Sequence, residues 1–533
     1  MVSRTIGAFL SLVGLASVAA LPATAQSFRV QCPTSTITHP VAANNNLEPS
    51  YTGPTALTAG GNGYLVPSAN TVNGAVKCQQ ISGGDGYATM GDGTQTYMFS
   101  FGPLSGISDI ANGLPGTQYP NTFNQVFPGT LAPGDPATTV DASGPSSFTY
   151  NGAVGLAPDL DAGGILDGHV DPRQIMDIGV MNGNIPAPLL AIDEDDEFFL
   201  TLTNVGMIMR PDLFEQHTVH FHGYPNASSF YDGVPDASVA INIGGSFTYY
   251  YLAPDAGTYF WHCHITPPEH LQMGMVGQLY VRPRQNRVKL NQDLYAALQL
   301  QQNDLRTACN SSTDILCSNP LPAVNTHAKG GFVTATVIGR GGTATKKFAY
   351  NDGDGTTAYD VEYPLQIHGF DPNFHFVGMT FNPEAFADMK DKYFLLNGRS
   401  YPDTVTPGPL ETSSADGVNH FSQPLSARID IKAGQKALLR ISDLDVSEYQ
   451  TLASLGIPMK VIGYNAKLLR DQAGNNMYYT TNSITLGGGE SLDVILDTTN
   501  VPTGTYYLYT PNLDHLSNDA ENFGGLMTEV HVN

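Results

Sequence analysis

The chain runs twice through one order of short segments that alternate apolar and polar residues. The first half has GVMNGNIPAPLLAIDEDDEFFLTLTNVG (179–206), HTVHFHGY (217–224), INIGGSFTYYY (241–251) and GTYFWHCHI (257–265). The second has YFLLNGRSYPDT (393–404), IDIKAGQKALLRISDL (429–444), IPMKVIGYN (457–465), ITLGGGESLDVIL (484–496) and GTYYLYTPN (504–512). In both, an Asn-Gly turn followed by proline opens the series and a Gly-Thr-Tyr strand closes it. Period-two alternation ended by Gly, Pro or Asn marks strands with one face buried. Only 14% of residues are charged, while Gly numbers 56 and Pro 36, which suits many strands and tight turns. The expectation is an all-β protein of two Greek-key β-sandwich or barrel domains.

Five stretches follow. Residues 1–25 read as a secretory signal peptide: one arginine, an apolar run from Ile6 to Ala20, then Ala23-Thr24-Ala25. Residues 26–85 form an N-terminal extension and 86–285 the first sandwich, with 108–170 a long surface insertion. Residues 286–330 are a helical, disulfide-bearing linker, with Leu290, Leu294 and Leu298 spaced four apart for an amphipathic helix. Residues 331–533 are the second sandwich. The protein is then exported, periplasmic or extracellular, with no later run long enough to span a membrane. Its net charge of −24 disfavours nucleic acid as a partner. The GGGES segment reads as a turn, because no lysine or helix signal follows it.

An oxidising compartment lets cysteines pair. Of five, Cys309 and Cys317 flank a short polar loop, and Cys32 and Cys78 flank the Gly/Asn/Pro-rich extension. Other pairings remain open at this level. Cys263 is the odd one, and it stands between His262 and His264. An unpaired thiol in an exported protein is protected by burial or by a metal.

Strand parity sorts the donors. Side chains alternate faces along a strand, so His220 and His222 share one face and His217 takes the other. Likewise His262 and His264 share a face opposite Cys263. If the two strands are neighbours, His217 meets Cys263 on one side and four histidines meet on the other. His270 and Met275 follow on TPPEHLQMGM, near enough to fold over the sulfur. Two imidazoles, a thiolate and a weak thioether are the ligand set of electron-transfer copper. A lone His-x-His pair reads equally well as a surface or core pair, and a Cys/His set also suits zinc. Six of fourteen histidines between residues 217 and 270, in register with the odd cysteine, favour copper.

HTVHFHG, WHCHI and the following His and Met resemble the multicopper oxidase family, which includes the laccases and is related to the copper nitrite reductases. The resemblance implies cupredoxin-like domains and a type 1 copper held by His217, Cys263, His270 and Met275. It implies a type 2 ligand in His220 and type 3 ligands in His222, His262 and His264. It further implies single-electron oxidation of a small-molecule, metal-ion or protein donor near His270, transfer through the His262-Cys263-His264 segment, and reduction of dioxygen to water. Glu269 is a candidate for binding a cationic donor, although a solvated loop carboxylate is the plainer reading.

Two features depart from the family pattern. The offset from Cys263 to His270 is seven where five is usual, with Pro267 and Pro268 between. A full cluster takes eight histidines and this domain offers four. Aligning the repeats puts Ile457, Lys460 and Ile462 at the places of His217, His220 and His222, and Tyr509, Thr510 and Pro511 at those of His262, Cys263 and His264. The second sandwich is thus a copy without copper ligands. His368, His375, His420 and His515 form no His-x-His pair, and a structural or surface role is the plainer reading of His515. Three readings stay open. Two chains form a homo-oligomer that completes the cluster; a nitrite reductase-like enzyme holds one type 2 copper; or the protein carries copper or electrons through the type 1 site alone.

Overall fold

The computed structural model describes residues 30–61, 63, 65–68, 72–106, 109–110, 113–123, 149–150, 153–154, 157–160, 166–171, 183–207, 209–210, 212–224, 229–253, 255–303, 320–331, 347–378, 385–413 and 419–533. The signal segment and the Cys309/Cys317 pairing lie outside these residues. Cys32 and Cys78 are bonded, with Cα atoms 5.8 Å apart.

We number only the strands of the two sandwiches. The first contains β1 (Val76–Thr89), β2 (Gln95–Pro103), β3 (Leu190–Asp193), β4 (Glu197–Gly206), β5 (His220–His222), β6 (Ser246–Leu252), β7 (Gly257–His262) and β8 (Val276–Arg282). One sheet has the order β6-β4-β1-β2 and the other β3-β8-β7-β5. Phe101 of β2 stacks on Trp261 of β7 at 4.9 Å, joining the two sheets through the core. Leu200, Leu202, Phe221 and Tyr249 are buried with them. The sheet starts at Val76, upstream of residue 86. Glycines 83, 84 and 86 in β1 leave gaps in its apolar alternation, so the sequence pattern does not announce it. Within 108–170, strands Ala157–Leu160 and Leu166–Asp171 pair with each other, and the latter pairs with Val30–Gln31.

The second sandwich contains β9 (Val361–Phe370), β10 (Tyr393–Leu396), β11 (Ile429–Ile431), β12 (Lys436–Asp443), β13 (Gln450–Leu455), β14 (Met459–Tyr464), β15 (Lys467–Leu468), β16 (Tyr479–Thr481), β17 (Ser483–Leu486), β18 (Ser491–Asp497), β19 (Gly504–Tyr509) and β20 (Met527–Val532). Its sheets run β10-β9-β12-β18-β14-β15, with β16 also on β14, and β11-β20-β19-β13-β17. Leu439, Leu452, Val461, Val494 and Leu508 fill its core. Among the described residues the architecture is two-sheet sandwiches, with no closed barrel.

The pairing corrects the repeat alignment. In the first sandwich β5 lies on β7, with His220 opposite His262 and His222 opposite Phe260. In the second, β13 lies on β19, with Ala453 opposite Tyr509 and Leu455 opposite Tyr507. The counterpart of HTVHFHG is therefore QTLASLG (450–456), and not the Ile457–Asn465 segment. Gln450, Ala453 and Leu455 stand where His217, His220 and His222 stand. The sequence favoured the later segment because its x-Gly-Tyr ending mimics HGY, whereas strand pairing is set by the neighbour. No histidine occupies the corrected positions either.

The linker helix is shorter than its leucine spacing implies. It covers Leu294–Gln299, and Asp293 caps it by accepting from the Ala296 amide at 3.0 Å. Leu294 and Leu298 are buried, while Leu290 precedes the cap and is exposed.

A polar seam joins the sandwiches. Glu362 of β9 accepts from Arg282 of β8 at 3.1 Å and from Arg440 of β12 at 3.1 Å. Thr258 of β7 donates to Asp493 of β18 at 2.7 Å, and Ser491 donates to the Thr258 carbonyl at 2.6 Å. Gln278 of β8 donates to Ser442 of β12 at 2.9 Å. These bonds fix which face of the first sandwich looks at the second.

Candidate metal centres

The first centre lies inside the first sandwich. His217 stands just before β5, held by reciprocal backbone bonds with Ile241. Cys263 stands just past β7, and the Thr218 amide points at its sulfur from 3.4 Å. After Thr266, at φ 37°, Pro267 and Pro268 start helix α1 (Pro267–Gln272). Proline's fixed φ suits a helix's first turn and its missing N–H costs nothing there. This helix accounts for the long offset and returns His270 to the sulfur. The Met275 amide donates to the His270 carbonyl at 2.9 Å and the Cys263 amide to the Met275 carbonyl at 3.1 Å. One donor atom each from His217, Cys263 and His270 lie within 4.8 Å of one another. All three residues and Met275 are buried.

The electrostatics favour a thiolate at Cys263. Burial alone would push the Cys263 thiol up, but His270 and His217 beside it hold it well below the ordinary thiol range. Burial lowers His270, yet the Cys263 sulfur and Glu215 raise it to about 9. Burial dominates at His217 and lowers it. Neither ring nitrogen of His217 or of His270 makes a hydrogen bond. The Glu215 carboxylate reaches only to 3.4 Å from His270 Nε2. Buried polar nitrogens without partners are costly, so the donor set fits a resident ion, and two imidazoles with a thiolate and a thioether fit copper.

The second centre is on the opposite face of the same strands. One ring nitrogen each from His220, His222 and His262 lie within 4.8 Å of one another. The His264 ring is 5.1 Å from that of His220 and 5.4 Å from that of His262. Local carbonyls orient two of these rings. His220 Nδ1 lies 2.7 Å from the Asp232 oxygen and His262 Nδ1 2.7 Å from the Cys263 oxygen. Each Nδ1–H donates to its carbonyl, which leaves Nε2 with a lone pair for a metal. Burial lowers His220 and His222, and takes His262 down to about 3, which favours the uncharged ring. Neutral imidazoles with free Nε2 atoms suit copper, zinc or iron.

This face opens into a cavity of about 660 Å³ whose far wall belongs to the second sandwich: Asp445–Tyr449 and Gly487–Glu490. Gly489, at φ +88°, comes so close that a Cβ there would lie 3.2 Å from His222 Nε2. The GGGES segment is indeed a turn, and its glycine admits the histidine. The wall carries Asp445, Glu448 and Glu490, and no histidine. Each of these carboxylates is engaged within its own sandwich, Asp445 with Gln450, Glu448 with His515 and Glu490 with the Gly487 amide.

The second sandwich also grips α1. His368 Nε2 lies 3.0 Å from the Leu271 oxygen and His375 Nε2 3.0 Å from the Gln272 oxygen, while Gln272 donates to Asp391 at 2.9 Å. His368 and His375 are therefore tethers for the ligand-bearing helix. His515 is buried in the second sandwich. His420 lies on a strand, Asn419–Ser422, and its side chain is outside the described residues.

Sequence reasoning missed Glu215, although it stands two positions before His217 and parity would have put it on the same side. It also missed the acidic wall, which no local motif marks. Glu269, considered for donor binding, is half-buried on α1 and is raised by burial and by Glu215. A third potential ligand group, Glu48, Asp193 and Asp196, surrounds the Lys77 ammonium at 2.7, 2.7 and 3.0 Å, so a cation already occupies it.

Comparison with known proteins matches residues 167–286 to the multicopper oxidase family model. Laccase abr2 of Aspergillus fumigatus is 34% identical over 109 residues, 20% of this chain and 17% of that protein. Multicopper oxidase MCE of Talaromyces pinophilus is 35% identical over 112 residues, 21% of this chain and 17% of that protein. The chain thus matches only a small part of these relatives' length. Among solved structures, the blue copper oxidase from Nitrosomonas europaea superposes with TM-score 0.46 at 17% identity, covering 85% of each chain. Both histidine motifs, Cys263 and Met275 fall inside the matched segment, and it is this part of the chain that is similar to the multicopper oxidase family.

Proposed function

We propose that this is an exported copper-dependent oxidoreductase of the multicopper oxidase type, drawing single electrons from a donor and reducing dioxygen to water. The observation that carries the reading is the pair of donor clusters on opposite faces of one strand segment. His217, Cys263, His270 and Met275 would hold the type 1 copper, and His220, His222, His262 and His264 the type 2/type 3 site. Bound copper would supply reversible one-electron chemistry at both places. The residues do the rest. Burial of the first cluster excludes water, and the surrounding strands hold its donors in place. Cys263 is joined covalently to His262 and His264, and its carbonyl accepts from His262, so the shortest link between clusters runs through this tripeptide. Glu215, partly exposed beside His270, gives a donor an acidic approach.

The division into a copper-binding sandwich ending at 285, whose sheet begins at Val76 and not at 86, and a ligand-free one at 331–533 belongs to this proposal. So does homo-oligomerisation. Four histidines are half of the family's cluster, and the described wall opposite them adds none. A second chain entering the open side, where His222 is exposed, supplies the other half. Dilution to monomer then ends oxygen consumption and spares the blue band; turnover by a proven monomer refutes the shared cluster.

The nitrite reductase-like reading has one observation in its favour: the tight part of the second cluster is three imidazoles, enough for a single type 2 copper. Copper stoichiometry with paramagnetic resonance separates the alternatives. One copper per chain means an electron carrier and two a reductase-like enzyme, whereas about four per functional unit means the oxidase. Oxygen uptake that tracks donor oxidation completes the test.

A further inference from the structure

We infer that the second sandwich keeps the pocket of a dismantled thiolate–copper site, with Gln450, Thr510, His515 and Leu526 at its four ligand positions. The inference rests on the reading of His217, Cys263, His270 and Met275 as the type 1 site. The correspondence comes from backbone bonding. Ala453 faces Tyr509 as His220 faces His262, which places Gln450 with His217 and Thr510 with Cys263. The Thr510 amide donates to the Leu526 carbonyl at 3.0 Å, as Cys263 does to Met275 at 3.1 Å. The Leu526 amide donates to the His515 carbonyl at 3.0 Å, as Met275 does to His270 at 2.9 Å. Glutamate precedes each first position by two residues and meets the retained histidine: Glu448 to His515 at 2.9 Å, Glu215 to His270 at 3.4 Å.

The side chains fill the same kind of space. Gln450, Thr510, His515 and Leu526 are all buried, like their counterparts. The offset from Thr510 to His515 is five, without the inserted helix turn that lengthens the first loop. Two exchanges disarm the pocket. Thr510 has no thiolate, and Gln450 has no imidazole. His515 is held at both ring nitrogens, by the Gln450 oxygen at 2.9 Å and by Glu448, which leaves none free for a metal. The Gln450 amide is pinned the right way round because its nitrogen donates to Asp445 at 2.6 Å. The side-chain volumes of leucine and methionine are close, so the axial position is one substitution from a thioether. The ion such a pocket takes when rearmed is copper, by the same preference for imidazole and thiolate.

The test uses the full chain carrying Q450H/T510C/L526M. Copper content should rise by one ion per chain and blue absorption should grow about twofold over wild type. Adding C263S to that variant should leave blue absorption from the second sandwich alone. A colourless wild-type protein that holds no thiolate-bound copper overturns the first site. A blue wild type, beside a folded triple variant with no added copper and no added colour, overturns the inference instead. Q450H/T510C keeps Leu526 and provides the same readout with less change to the core. Failure of both variants to fold also counts against it, because a preserved pocket accepts these donors.

Discussion

Glu362 offers a sharp test of how the sandwiches are joined. It accepts from Arg282 across the seam and from Arg440 beside it, and both arginines are buried. Burial alone would raise its carboxyl, but Arg282 and Arg440 outweigh burial and take it from 4.5 to about 2. At 1.36 kcal/mol per unit, that depression is worth about 3 kcal/mol of stability. The folded value is depressed, so the contribution is fully present above pH 4.5 and is lost as pH falls through about 2. Replacing Glu362 with Gln keeps the shape and removes the charge, leaving two buried guanidinium groups short of a partner. Breaking a buried pair from one side costs about 3–5 kcal/mol. Urea unfolding at pH 7, followed by circular dichroism and by Trp261, should show a loss of about 3 kcal/mol. The gap between variant and wild type should narrow below pH 4.5. The blue band should persist, because all four of its donors lie in the first sandwich. A loss under roughly 0.5 kcal/mol at pH 7 would refute the seam as a source of stability.

Other substitutions address the centres. Cys263→Ser should abolish intense blue absorption while the imidazole-bound copper and the fold survive; a persisting band would identify the wrong thiol. Met275→Leu should keep the colour, raise the type 1 potential in redox titration, and cost under about 1.5 kcal/mol; loss of copper would contradict an axial role. His375→Phe removes the ring nitrogens that meet the Tyr97 and Gln272 oxygens at 2.7 and 3.0 Å. It should cost about 1–3 kcal/mol and shift the type 1 resonance spectrum by loosening α1; an unchanged spectrum would remove His375 as a tether.

How far the sequence reached depended on the range of the interaction. The two faces of the histidine strands were readable because parity is a local property with period two. His217 and Cys263 on one side, and His220, His222 and His262 on the other, follow from spacing alone once the strands are neighbours. The Cys32–Cys78 bond was legible too, since both cysteines flank one irregular segment. The register of the second repeat was not. Its x-Gly-Tyr match was a local likeness, and only the partner strand β19 shows that Gln450, and not Ile457, stands at the place of His217.

The sequence by itself determined the strands, their two-sided donor pattern and the chemistry those donors prefer, because alternation and ligand type are written residue by residue. Tertiary structure alone decided what faces the imidazole cluster: a glycine turn and three carboxylates from residues more than 170 positions away. It alone showed that His368 and His375 hold α1 and that His515 sits in a pocket like that of His270. Those contacts come from docking one sandwich on the other and from pairing between distant strands, and no periodicity along the chain encodes either.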